Sequence, residues 1–329
     1  MRTISSHLKC TYIVALLGLS VLSPAAMASY EPPGAARSAI SVDEVALELS
    51  NPATALRSLA IDIEYRTYQG DLPGSDDQSA WRYVLTPSWP FKLSNGKNIL
   101  LSAMIPVNGD PPTWNRFPRV DYGEFLIRQV PADQLMEREF FSGHAHLDDI
   151  GINVGYGGVN EKNGLISMFG LAGVFPTSTD RASSRSQWLL GPEFALGKVT
   201  RWGVIGAQAN HLTSITGEEV RSGVLRTSIA GNERWNTNET TVKIFFAYGL
   251  RNGWQIESNP IVRYDWEAVS GNEWFVPIGA GISKTIMLGS LPLKLAFDIQ
   301  KFVVSPDRFG PEWQLTVSFA PVISTKLLR

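Results

Sequence analysis

The sequence predicts an all-β protein, a transmembrane antiparallel up-and-down β-barrel of about twelve strands with a short N-terminal helical segment. Three observations carry this expectation. The chain opens on an export signal, most of the remaining chain alternates apolar and polar residues, and its connections alternate between short turns and long polar links.

The export signal is read first. Arg2 and Lys9 supply positive charge, an apolar run spans Tyr12 to Leu22, Pro24 breaks it, and Ala26-Met27-Ala28 has the form of a signal-peptidase site. The run is shorter than the ~20 residues a membrane-spanning helix needs. Residues 1–28 are therefore expected to be a cleaved signal, with Ser29 first in the mature chain. The single cysteine, Cys10, falls inside that signal, so disulfides and thiol catalysis are not expected. No later apolar run is long enough for a transmembrane helix. Charged residues are sparse at 18%, and no basic stripe points to nucleic acid.

Residues 29–53 form a separate stretch ahead of the barrel expected over 54–329. Pro32-Pro33-Gly34 is flexible, and Ser41-Val42-Asp43-Glu44 has the form of a capping box. Val45, Ala46, Leu47 and Leu49 then suggest one short helix, ended by Asn51-Pro52. Two readings stay open for this stretch: a periplasmic lead-in to the first strand, or a small plug entering the lumen.

A wall with lipid outside and water inside must carry apolar residues at every second position. Leu59, Ile61, Ile63 and Tyr65 alternate with Asp62, Glu64 and Arg66. Trp81, Tyr83, Leu85, Trp89 and Phe91 alternate with Arg82, Thr86 and Ser88. Trp254, Ile256, Val262, Tyr264 and Trp266 oppose Gln255, Glu257, Asn259, Arg263, Asp265 and Glu267. Leu293 to Ile299 and Trp313 to Phe319 repeat the pattern against Lys294, Asp298 and Gln300, and against Gln314, Thr316 and Ser318. Weaker segments at 98–107, 148–159, 164–176, 187–197, 201–213, 240–249 and 273–287 complete the set. Ten Trp, nine Tyr and fifteen Phe suit aromatic girdles at the two membrane interfaces.

The connections add independent evidence. Short turns fall at Asn95-Gly96, 160–163, 197–200, 251–253 and Gly289-Ser290, where Asn and Gly accept the positive φ of tight hairpins. Between them lie longer links at 69–80, 108–147, 177–186, 214–239, 268–272 and 305–310. Outer-membrane barrels have short periplasmic turns and long outside loops, whereas a soluble β-sandwich has little reason to alternate in this way.

An ordered set of residues then points to a family. Asn51-Pro52 precedes the first strand, Pro87 to Phe91 is followed by Asn98 to Val107, and Phe175-Pro176-Thr177 by Gly191-Pro192. Trp202-Gly203, Ala209-Asn210-His211, Tyr264-Asp265-Trp266, Val276-Pro277-Ile278 and Ser283-Lys284 come later. This set resembles an uncharacterised family of bacterial outer-membrane barrels related to transporters of the phenol meta-pathway group. Some of its members carry the misapplied label "neuromedin U". The resemblance implies a bacterial outer-membrane barrel that transports small molecules, with no established substrate. Asn51-Pro52-Ala53 is also similar to a motif in long-chain fatty-acid channels. Two departures stand out. Residues 108–147 are longer than the corresponding family loop and include a strand-like stretch Tyr122 to Val130. Phe319 is followed by Ala320 to Arg329, whereas many such barrels end on the aromatic residue that the barrel-assembly machinery reads.

Catalytic readings are weak. Asn210, His211 and Ser214 invite comparison with an outer-membrane phospholipase, but its H-x-S-N-G pattern is absent. Adjacent residues on a strand also point to opposite faces. His144-x-His146 with Asp148-Asp149 has zinc-ligand character, and its plainer reading is a polar loop entering a strand. No catalytic residue, cofactor or metal is expected.

The polar faces of the strands nominate lumen-lining residues: Asp62, Glu64, Arg66, Arg82, Glu193, Lys243, Glu257, Arg263, Asp265, Glu267, Lys294 and Asp298. Their mixed signs favour paired charges around a narrow path. The expected function is passage of a small hydrophobic or aromatic solute across the outer membrane, the apolar character of the solute being implied by the resemblance alone. The expected partners are outer-membrane lipid, that solute and the assembly machinery. Two alternatives remain: a structural or surface-interaction barrel without transport, and an outer-membrane lipid hydrolase.

Overall fold

A computed structural model describes residues 41–115, 139–180, 185–217, 236–289 and 291–323. The expected signal and the stretch Tyr122 to Val130 lie outside these residues. Helix α1 (Val42–Leu49) begins at Ser41. The Glu44 amide donates to the Ser41 hydroxyl, and the Ser41 amide donates to the Glu44 carboxylate. These reciprocal bonds satisfy two of the amides that a helix start leaves open. Ser50 caps the other end.

The wall strands are β1 (Ser58–Gln69), β2 (Ser79–Lys92), β3 (Asn98–Asn108), β4 (Ile150–Val159), β5 (Leu165–Phe175), β6 (Gln187–Val199), β7 (Gly203–Gly217), β8 (Asn238–Gly249), β9 (Trp254–Ser258 and Ile261–Asp265), β10 (Trp274–Leu288), β11 (Leu291–Val304) and β12 (Gly310–Pro321). The sheet has fourteen hydrogen-bonded segments but only twelve wall strands. One wall strand, β9, is broken in two, and His146–Leu147 merely extends the edge of β3. Every strand is antiparallel to its neighbours, and β1 closes the ring on β12 from Ile61↔Phe319 to Gln69↔Gly310. Among the described residues the strands form a closed ring, as a bilayer without water to satisfy an open edge requires.

Register assigns the faces. Phe194 and Leu196 on β6 are 59% and 64% exposed, while Glu193 and Ala195 between them are 1% and 4% exposed. The exposed series is the outer wall: Phe169, Leu171, Phe194, Leu196, Ile256, Ile278 and Ile282 all belong to it. Aromatic residues collect at its two ends. Trp202 stacks on Tyr248 at the short-turn end, with ring centroids 6.0 Å apart. Tyr264 packs between Trp266 and Trp274 at the long-loop end, at 4.7 and 4.6 Å. An apolar belt between two aromatic girdles, around a polar interior, is the pattern of a membrane-spanning barrel.

The interior is divided. The inward faces of β4 to β7 carry Ile166, Met168, Ala172, Leu189, Ala195, Val204 and Leu212 among glycines. The inward faces of β1, β2, β8, β9 and β11 carry nearly all the charge. Gly206 shows how tightly the apolar half is filled. A Cβ there would lie 2.4 Å from both the Leu196 carbonyl oxygen and the Phe245 ring, and 2.5 Å from Gly197 Cα. Gly206→Val is expected to block folding of the β6–β7–β8 region. A gel in which folded barrels run anomalously before heating would show it, and a normally heat-modifiable variant would contradict it.

The hydrogen-bonded ladder has one wide interruption. Strand β10 pairs with β9 from Trp254↔Lys284 to Glu257↔Gly281, and again only at Arg263↔Phe275 and Tyr264↔Trp274. By register Pro277 falls in this gap opposite Ile261, and it has no amide proton to give. The Ser258 hydroxyl donates to the Gly279 carbonyl at 2.7 Å across the gap. On the other side, Ile244 still donates to the Pro260 carbonyl at 3.0 Å. The alternation of faces survives the break, because Glu257 pairs with Ala247 and Ile261 with Lys243, four residues along each strand.

Candidate functional site

The short-turn end of the lumen holds α1 and the residues after it. Leu47 and Ala53 pack on Ile166, Val204 and Phe245 of the apolar half. On the other side, the Asp43 carboxylate accepts from the Gly253 amide, and Ser50 meets the charged half. The Lys294 ammonium pairs with the Glu257 carboxylate and donates to the Ser50 hydroxyl at 2.9 Å. The Ser283 hydroxyl donates to Glu257 at 2.8 Å. Lys294 and Glu257 are nearly closed off from solvent, with side chains 10% and 9% exposed. A cation also suits the end of a helix, where the backbone dipole is negative.

The middle of the charged half is built around Glu64. Its carboxylate accepts from Arg66 at 2.8 Å and from Arg82 at 3.4 Å. The Arg66 Nε donates to Gln314 at 2.7 Å. Asp62 accepts from the Ser318 hydroxyl, and Asp298 accepts from the Gln300 amide at 2.7 Å. Toward the long loops, Glu239 pairs with Arg185 at 2.9 Å and faces Arg263 at 4.0 Å. The Arg263 guanidinium lies 3.7 Å above the centre of the Phe275 ring.

Three expected lumen residues sit differently from the rest. Glu193 faces inward but is sealed, holding the Asn153 amide at 2.7 Å beside the glycine-rich wall. That half of the barrel is filled, so Glu193 meets little water. Glu267 lies beyond the end of β9 in a turn, where its amide donates to the Asp265 carboxylate at 2.9 Å. Lys243 is inward and exposed, and among the described residues it makes neither a hydrogen bond nor an ion pair.

Sequence reasoning misses Glu239 and Arg185, because both fall in stretches that read as long loops. Glu239 continues the alternation of β8 two residues before Thr241, and that parity is the available signal. It also misses the apolar half, although Leu165–Phe175 has almost no polar residue on either face.

The hydrolase and metal readings meet the same geometry. Asn210 pairs with Glu193 on the inner face, while His211 is on the outer wall opposite Thr240. The Thr240 hydroxyl lies 2.9 Å from His211 Nδ1 and accepts from Trp266 Nε1 at 2.9 Å. A base on the lipid side cannot act with an asparagine on the lumen side. His146 is buried, with Nδ1 donating to the His144 carbonyl at 2.8 Å and Nε2 3.2 Å from the Asn108 amide. Among the described residues no three His, Cys, Asp or Glu side chains are grouped to hold a metal.

The class is thus a closed twelve-stranded transmembrane barrel whose lumen has one apolar and one charged wall. Among solved structures it is similar to an outer membrane channel from Pseudomonas putida F1. The TM-score is 0.55 at 10% identity, covering 83% of this chain and 98% of that one. The NanC porin matches at TM-score 0.44 and 12% identity over 80% of this chain and 99% of its own. The toluene transporter TodX of Pseudomonas putida matches at 0.40 and 9% over 84% and 92%. No family profile matches the sequence, and no curated protein matches it. The first likeness establishes the fold, that of an outer-membrane β-barrel.

Proposed function

We propose that this chain is an outer-membrane channel for a small hydrophobic or aromatic solute, with α1 and the residues up to Thr54 acting as a plug at its short-turn end. The observation that carries the reading is the divided interior. Buried Met, Leu, Ala and Gly fill one side of the interior and bonded charges line the other, so the path left beside them is narrow. The outer membrane channel of Pseudomonas putida F1 shares the barrel architecture and supports the assignment. On this reading the mature chain is inserted by the barrel-assembly machinery after its signal is removed, lipid surrounds the wall, and no catalytic step is involved.

Single-channel recording in planar bilayers tests it. The mature protein is expected to conduct weakly, and deletion of residues 41–53 is expected to raise conductance severalfold. Equal conductance with and without the segment would remove the plug. The absence of any current or solute flux from both forms would remove the channel.

A further inference from the structure

Lys243 on β8 and Arg263 on β9 stand apart from the other lumen charges. They occupy diagonal positions on adjacent strands, because Thr241 pairs with Arg263 and Lys243 with Ile261. Diagonal neighbours on one face start about 7–8 Å apart. The Lys243 head has Asp62, Lys294 and Glu257 around it, and the Arg263 head has Glu239, Arg185 and Asp265. A shared solute therefore has to draw the two long side chains together. Among the described residues neither cation makes a hydrogen bond. Arg263 has only the Glu239 carboxylate at 4.0 Å and the Phe275 ring beneath it. All five of its N–H donors are therefore open, and its side chain is about one third exposed at 34%. The carboxylates in electrostatic range of Lys243 are Asp62, already bonded to Ser318, and Glu257, already paired with Lys294. For Arg263 they are Glu239, shared with Arg185, and Asp265, which holds the Glu267 amide.

Beside these open donors lies apolar surface. Ile261 faces the lumen from its register with Lys243 and is 47% exposed. Phe275 offers a ring already polarised by the guanidinium. We propose that Lys243 and Arg263, with Phe275 and Ile261, form a binding station for an organic carboxylate with an aromatic or aliphatic body. A planar guanidinium matches a carboxylate with two parallel bonds, and the ammonium reaches the same oxygens as a point charge. The body of the solute lies against Ile261 and Phe275. This inference rests on the channel reading and narrows its solute to a weak acid in its ionised form.

The test uses full-length mature protein in detergent and radiolabelled benzoate as the probe, with benzyl alcohol as the uncharged comparison. Saturable benzoate binding is expected, well above that of benzyl alcohol. Lys243→Gln and Arg263→Gln are each expected to weaken it roughly tenfold, as loss of a charge-assisted hydrogen bond does. Lys243→Arg should retain it, and Lys198→Gln on the outer rim should leave it unchanged. Heat-modifiable mobility identifies variants that have folded, and the retained binding of Lys243→Arg keeps the test decisive if a glutamine variant has not. Equal binding of benzoate and benzyl alcohol, or benzoate binding indifferent to both glutamine changes, would overturn the station. Proteoliposomes separate it from the channel reading. Solute flux without benzoate binding leaves the channel and removes the station; benzoate binding without flux does the reverse.

Discussion

Lys294→Met is expected to destabilise the barrel by about 3–5 kcal/mol, the usual cost of leaving a buried partner charge alone. The Glu257 carboxylate would keep the hydroxyls of Ser283 and Ser50, with Lys243 in electrostatic range but not bonded to it. Ser50 would lose its ammonium donor, so the grip on the end of α1 would weaken as well. The double change Glu257→Gln with Lys294→Met removes both charges and should recover most of the loss. Urea unfolding in lipid vesicles gives the energies, and protease sensitivity of the segment around α1 reports its release. A double variant no more stable than the single would show that the two charges do not depend on each other.

The second large effect is expected on the lipid side. Val262 lies on the outer face of β9, opposite Val242, eight residues from Trp254 and four from Trp266. Val262→Arg should cost roughly 1–2 kcal/mol there, between the midplane cost of a lipid-facing Arg and its smaller cost at the interface. Thr316→Arg, which places the same group on the inner face of β12, should cost far less, because a lumen can hydrate a guanidinium. Folding yields in vesicles compare the two directly. Equal yields would mean that the two residues do not lie on opposite faces of the wall.

The strand count, the order of turns and loops, and the capping box at Ser41 are legible in the sequence because each depends on local patterns. Parity alone places Asp62, Glu64, Arg66, Arg82, Glu257, Lys294 and Asp298 on the inner face, even through the break at Asn259-Pro260. Parity cannot say which inward residues meet across strands. It groups Arg263 with Asp265, its neighbour on the same face, whereas the structure sets Arg263 against Glu239 on β8 and Phe275 on β10. The sealing of Glu193 depends on glycines in β4 to β7 that let the wall close in, a property of the assembled ring. The match of Leu47 and Ala53 to Phe245 lies equally out of reach, since some two hundred residues separate the partners.

The interruption between β9 and β10 has a mechanical consequence. A closed ring of strands is only as stiff as its softest joint, and here that joint lies three strands from the seam where the chain's first and last strands meet. Pro277 makes it lasting, because a residue without an amide proton cannot supply the missing bond. Thermal breathing of the cylinder should gather along this one line, flattening and rounding the bore as it hinges. Lys243 and Arg263 stand beside the hinge, so the distance between them should vary more than that between any two charges on the continuous arc of the wall.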